Sequence, residues 1–121
     1  MNRVNIGEDQ VLIAGAGPVG LTAALSLLQQ GIPVTIIESY SDVPTDPRAS
    51  TFHPPTMEIL EPIGVTDDMQ KHGIEVTKWQ YRDRKKGIIA EFDLSVLSDL
   101  TDYPFRLHFE QHKYAQLLLL P

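Results

Sequence analysis

Two hydrophobic rhythms divide the chain. Up to about residue 38 the apolar residues come in short unbroken runs, and from Val76 onward they alternate with polar ones. Val11-Leu12-Ile13-Ala14 and Val34-Thr35-Ile36-Ile37 are charge-free and carry β-branched residues, the pattern of strands. Between them, Pro18 to Gln30 has helix-forming composition with Gly31 as its stop, so this stretch predicts strand, helix, strand. Ser39 to Thr51 carries two prolines and no apolar period. A turn-rich segment of that length inside a small domain is usually functional. Pro54-Pro55 then open a short helix with Met57, Ile59 and Leu60 as its contacts, closed by Pro62 and Gly64, and Thr66 is expected to cap another that ends at Gly73.

From Val76 the period is two. Thr77, Trp79 and Tyr81 are expected on one face of a strand, with Lys78, Gln80 and Arg82 on the other. Ile88, Ala90 and Phe92 alternate with Ile89, Glu91 and Asp93 in the next run, and Arg84-Lys85-Lys86-Gly87 supplies turn chemistry, so a β-hairpin is predicted. Lys78 and Arg82 would face Glu91 and Asp93 across it. Trp79, Tyr81 and Phe92 either fill a core or form part of a flat pocket for an aromatic ligand. Leu94 to Tyr103 reads as loop, and a helical pattern runs from about Glu110 through Tyr114, Leu117 and Leu118 toward Pro121.

The first strand leads directly into Gly15-Ala16-Gly17-Pro18-Val19-Gly20, and the second ends on Glu38. Glycine at these three places lets a backbone turn and a helix N-terminus come close to a pyrophosphate, which a Cβ would hold away. Gly15 permits the turn, Gly17 the approach of the ligand and Gly20 the packing of helix on strand. Pro18 suits the first helical position, where its missing N–H costs no hydrogen bond. The acidic residue at the end of the second strand, roughly 20 residues on, is placed to accept from a ribose hydroxyl. The pattern therefore reads as a dinucleotide site. Val11 to Leu28 is also charge-free for eighteen residues, the lower limit for a membrane span, but three glycines and a proline interrupt it and Glu8 and Asp9 precede it.

Composition narrows the partners. At 121 residues the chain is one small domain in size, and 10 Lys+Arg against 16 Asp+Glu leave a net charge of −6. The one basic cluster, Arg82-Asp83-Arg84-Lys85-Lys86, belongs to the hairpin tip, so no nucleic-acid partner is expected. The absence of cysteine removes disulfides, thiolate metal sites and cysteine nucleophiles, and it permits a cytoplasmic location. His53, His72, His108 and His112 have no metal-ligand spacing, so no metal site is expected.

Gly15 to Thr22, Ile37-Glu38, Asp46-Pro47-Arg48-Ala49-Ser50, Met57 to Leu60 and Glu110-Gln111 form a series that resembles the N-terminal part of the FAD-dependent aromatic-ring hydroxylases. This is the flavoprotein monooxygenase family that includes para-hydroxybenzoate and phenol hydroxylases. The resemblance covers nearly the whole chain. It implies an α/β fold: a Rossmann-like FAD-binding β-α-β unit with an incomplete parallel sheet, joined to a β-hairpin from the start of a substrate-side sheet. Residues 1–75 would be the N-terminal part of the FAD-binding domain, 76–106 the hairpin and loop, and 107–121 the start of a helix returning to the FAD-binding domain. The implied cofactor-binding set is Gly15, Ala16, Gly17, Pro18, Val19, Gly20, Glu38, Ser39, Arg48 and Gln111, with no residue in a catalytic role. In that set Arg48 offers a planar fork suited to pyrophosphate or a ribityl hydroxyl.

The implied activity of such a family member is hydroxylation of a phenolic or related small aromatic substrate, with FAD as cofactor and NADH or NADPH and O2 as co-substrates. The Asp-Gly and Gly-Asp-Ala segments that complete the family's flavin site are not in this sequence, so the chain is expected to be a fragment without turnover of its own. Val34 to Ile37 would then border an unpaired sheet edge and Leu117 to Leu120 would lack packing partners, so self-association is expected. The remaining alternatives are a fragment of an NAD-dependent dehydrogenase, which shares the glycine fingerprint, and a non-catalytic nucleotide-binding module.

Overall fold

A computed structural model of the chain describes residues 7, 9–46 and 48–120. Glu8, Pro47 and Pro121, which the sequence reading used as a flank, a turn residue and a helix stop, lie outside the described residues. The chain divides into two compact units, residues 1–48 with 111–121, and residues 49–110.

In the first unit, β1 (Val11–Ala14) leads through the glycine turn into α1 (Pro18–Gln29), and β2 (Val34–Ile37) returns beside β1. The two strands are parallel and in register, Val11 opposite Val34 through Ala14 opposite Ile37. The eighteen-residue charge-free run is therefore split between a strand, a turn and a helix, and no helix among the described residues is long and apolar enough to cross a membrane. Gly31 follows α1 with a φ of 76°, the left-handed conformation that ends helices and that glycine adopts without steric cost. A second helix, α4 in chain order (Gln111–Leu118), packs on α1. Leu21 and Ala24 of α1 are buried with Tyr114, Ala115 and Leu118 of α4.

The second unit is built around a strand that the sequence pattern did not predict. β7 (Arg106–His108) is the middle of a three-stranded antiparallel sheet, flanked by β3 (Thr51–Phe52) and β4 (Ile74–Val76). Three residues are too few for a periodic signal. Burial comes instead from neighbours distant in sequence: Leu107 is fully buried, with Phe105 and Phe109 buried on either side of it in the chain. Two short helices, α2 (Pro54–Leu60) and α3 (Thr66–His72), add Met57, Leu60 and Met69 to this core. Thr66 does not cap α3. It is the first residue of that helix and is buried, and its hydroxyl accepts a 3.3 Å hydrogen bond from Tyr103.

The predicted hairpin is present as β5 (Lys78–Asp83) and β6 (Gly87–Asp93). Thr77 lies outside it, because the chain leaves β4 at Val76 and starts a new sheet at Lys78. Arg82 has no acidic residue opposite it: a bulge between Tyr81 and Arg82 shifts the register and pairs it with Ile88, where the unshifted ladder would have paired it with Ile89. Lys78 lies opposite Asp93 in the ladder and forms a 3.3 Å ion pair with Glu91, one of the two expected acidic residues, which also accepts from Gln80. Asp93 instead accepts from the Ser95 N–H and caps a 3-10 turn over Leu94–Leu97. Trp79 lies 5.1 Å from Tyr81 and 5.3 Å from Phe92 between ring centroids, and the Arg106 guanidinium sits 5.7 Å above the indole. The three rings are nevertheless 40%, 54% and 48% exposed, so within the described residues they neither fill a core nor line an enclosed pocket.

One contact sets the geometry of the first unit. A Cβ added to Gly20 would lie 2.0 Å from the Gly15 carbonyl oxygen and 3.2 Å from the Ile13 side chain. The oxygen is backbone and cannot swing away. Gly20→Ala is therefore expected to lower stability by about 1–3 kcal/mol, the range for overpacking, read as a lower urea midpoint with an unchanged slope. An unchanged midpoint would show that α1 and the turn can separate freely.

Candidate functional site

The glycine turn is held from below and from the side. The Gly15 N–H donates to the Ile37 carbonyl at 2.7 Å, continuing the β1–β2 ladder by one residue, and Gly15 then takes a φ of 104°, where a side chain would be strained. This reverses the chain into the start of α1. Gly17 occupies the N-cap position in extended conformation and makes no side-chain cap, Pro18 is the first helical residue, and the first turn has no acidic side chain. The first-turn N–H groups of a helix have no carbonyl partner within it and carry partial positive charge. Nothing in the α1 sequence neutralises that end.

Glu38 braces the turn from the end of β2. Its Oε2 accepts from the Ala16 N–H at 2.7 Å, and its Oε1 accepts from the N–H groups of Ser39 at 2.7 Å and Tyr40 at 2.9 Å, and from the Ser39 hydroxyl at 3.2 Å. The backbone donors, Tyr40 first and Ala16 next, lower the pKa of this exposed carboxyl from its ordinary 4.5 to about 2. Glu38 is thus an anion at any physiological pH. Oε2, with one donor, retains a lone pair for a further hydrogen bond.

These elements border a cleft of about 320 Å³, within the size range of small-molecule sites. Every residue lining it belongs to the first unit. Of the sequence-derived candidates, Ala16, Gly17, Pro18, Glu38, Arg48 and Gln111 line it together, although Gln111 is the first residue of α4, far along the chain from the turn. Gly15, Val19, Gly20 and Ser39 do not. Gly15 and Gly20 shape the turn behind the cleft, Ser39 serves Glu38, and the Val19 side chain is exposed.

The three glycines differ in what surrounds them. At Gly17 an added Cβ would meet no protein atom within 4 Å, whereas at Gly20 it would collide with backbone. Since Gly17 lines the cleft, the protein itself does not require a glycine there, and the space in front of it is left to whatever enters the cleft. This is the arrangement a dinucleotide pyrophosphate needs, and the residues present fit that group. The pattern reading missed the rest of the rim: Tyr40, Ser41, Asp42, Val43, Pro44 and Asp46 from the segment after β2, with His112 and Ala115 from α4 and Leu119 just past its end. The signal for the first group was its place in a long turn-rich segment directly after Glu38. For the α4 residues no signal existed before the helix was known to pack on α1.

A parallel β-α-β turn with an open glycine at the helix start defines a dinucleotide-binding unit. The family model described as FAD binding domain matches residues 8–119, and the chain belongs to that family. It is 36% identical over 110 residues to para-nitrophenol 4-monooxygenase of Pseudomonas sp. (strain WBC-3), covering 91% of this chain and 27% of the relative. It is 33% identical over 112 residues to 6-hydroxy-3-succinoylpyridine 3-monooxygenase of Pseudomonas putida, covering 93% and 28%. The crystal structure of p-nitrophenol 4-monooxygenase PnpA from Pseudomonas putida superposes with a TM-score of 0.87 at 36% identity, over 92% of this chain and 28% of that one. The chain thus spans little more than a quarter of the length of these relatives.

The depressed pKa of Glu38 gives a pH dependence with a definite sign. A carboxyl whose folded pKa lies below its unfolded value contributes stability that is complete above the unfolded value, about 4.5, and is lost as pH falls from there through about 2. The Glu38 carboxyl carbon, followed by NMR, is expected to titrate with a midpoint near 2, with the Ala16 amide signal moving in parallel. A midpoint at the ordinary 4.5 would mean that the brace does not persist in solution.

Proposed function

We propose that this chain is the FAD-binding portion of a flavin-dependent monooxygenase that hydroxylates a phenolic or related small aromatic substrate, using NADH or NADPH and O2. The observation that carries the FAD site is the open space at Gly17, in a cleft whose other walls supply the remaining recognition chemistry. The start of α1 and the Arg48 guanidinium present positive charge for the pyrophosphate. Glu38, ionised, accepts from the adenosine ribose through the lone pair left on Oε2. Gln111, at the start of α4, offers an amide from the opposite rim. Gly15, Val19, Gly20 and Ser39 support these contacts through backbone shape. The glycine turn suits the pyrophosphate and Glu38 the ribose, so we assign the adenosine and pyrophosphate end of FAD to the residues of this chain.

When bound, FAD supplies the redox and oxygen-transfer chemistry of such an enzyme, and the protein binds, orients and excludes water. No residue of this chain is assigned a proton transfer. The aromatic monooxygenases among the relatives support the substrate class. We assign residues 1–48 and 111–121, which hold the cleft, to the FAD-binding domain, the β5–β6 hairpin to the substrate side, and the protein to the cytoplasm.

Titration of the chain with FAD, followed by flavin fluorescence, tests the binding reading. Saturable binding of FAD, with NADH failing to compete, is expected. Gly17→Val should weaken it at least about tenfold, because the side chain enters the space the pyrophosphate needs, while costing at most about 1 kcal/mol of stability at an N-cap position. Tight NADH binding without FAD binding would favour a dehydrogenase unit instead. Undiminished FAD affinity in Gly17→Val would remove the glycine turn from the site.

A further inference from the structure

Thr22 and Tyr114 are 92 residues apart in sequence and 2.6 Å apart between their hydroxyl oxygens. The Thr22 hydroxyl is also 2.6 Å from the carbonyl oxygen of Pro18, one turn earlier in α1. A carbonyl can only accept, and Thr22 has one proton to give. Thr22 therefore donates to Pro18, and Tyr114 donates to Thr22. A directed relay runs from α4 through α1 to the residue that opens α1 at the cleft.

The Tyr114 ring is 2% exposed, so its hydroxyl has been taken out of water and must be satisfied inside the protein. A phenylalanine would fill the same volume between the helices. The aliphatic residues buried on the same two helices, Leu21 and Ala24 of α1 and Ala115 and Leu118 of α4, contribute a non-directional attraction that does not by itself fix axial or rotational register. A hydrogen bond does fix it. One end of the relay, Pro18, lines the cleft beside Gly17; the other, Tyr114, lies behind it, on the turn of α4 from which Gln111 and Ala115 line it.

We propose that Tyr114 and Thr22 are positioning residues for the dinucleotide cleft: their hydroxyl relay sets the register of the α4 rim, with Gln111, against the α1 start, with Gly17. The inference rests on the FAD-site reading above and adds to it two residues that touch no ligand. Loss of either hydroxyl loosens the register and weakens ligand binding while the aliphatic packing still holds the fold.

The test compares Thr22→Ser, which keeps the hydroxyl, with Thr22→Val, which keeps the shape, and with Tyr114→Phe and the Thr22→Val/Tyr114→Phe double variant, all in the full chain. FAD affinity is read by fluorescence titration, and amide hydrogen exchange at the first hydrogen-bonded amides of each helix, Leu21, Thr22 and Ala23 of α1 and Ala115 and Gln116 of α4, is read without FAD. Thr22→Val and Tyr114→Phe should each weaken FAD binding by about threefold to tenfold, the span of one hydrogen bond. Thr22→Ser should stay within about twofold of the parent, and the double variant should be no worse than the single ones, since they remove the same bond. Exchange in the two helix starts should accelerate in Thr22→Val and Tyr114→Phe but not in Thr22→Ser. If the hydroxyl-free variants lower only the melting temperature, with parent-like affinity and exchange, or if Thr22→Ser behaves as Thr22→Val, the positioning role is overturned. If the parent chain binds no FAD, the functional reading fails by itself. The relay is then decided by exchange alone, and unchanged protection at the two helix starts overturns it.

Discussion

The close approach of Gly20 to the Gly15 carbonyl is the constraint on which the first unit is built. With only hydrogen on the Gly20 Cα, α1 sits directly against the turn that feeds it, where a methyl group would overlap backbone oxygen. That contact directs the start of α1 into the cleft. It also explains the left-handed φ at Gly15, because a chain that must double back under its own helix has few other conformations available. If α1 were lifted off the turn, Pro18 and Gly17 would withdraw from the cleft and Thr22 would leave its partner on α4.

Glu38 extends this constraint to the second strand. By accepting from Ala16 it ties the middle of the glycine turn to the end of β2, and by accepting from Ser39 and Tyr40 it folds the start of the following segment back toward the cleft. One carboxylate thus organises both walls before any ligand arrives, and its low pKa is the electrostatic consequence of those converging N–H groups. Preorganisation of this kind lowers the conformational cost that a ligand must overcome on binding. Both the brace and the hydroxyl relay act on the same helix start, the first from β2 and the second from α4.

The second unit follows another logic. Its core gathers around a three-residue strand and two short helices, each too small to be stable alone, with the aromatic face of the β5–β6 hairpin left substantially exposed. Stacking among Trp79, Tyr81 and Phe92, with Arg106 over the indole, keeps that face ordered without burying it.

What the sequence determined by itself was what depends on neighbours in the chain. The strands at Val11 and Val34, the helix after Pro18 and its end at Gly31, the hairpin through Gly87, the turn at Gly15 and the close packing at Gly20 all arise from local backbone preference and short spacing. What only the tertiary structure decided depends on partners distant in sequence. Leu107 became part of a central strand because β3 and β4 close on either side of it, and the register of the hairpin set Arg82 opposite Ile88 rather than an acidic partner. Thr66 became a buried partner of Tyr103 rather than a cap. Gln111 shares a cleft with Arg48 and the glycine turn because α4 packs on α1, and the Tyr114–Thr22 bond joins residues whose spacing in sequence carries no period. Hydrophobic rhythm reports which face of an element is covered; it does not report which distant element covers it, and the rim of the cleft is set by that second fact.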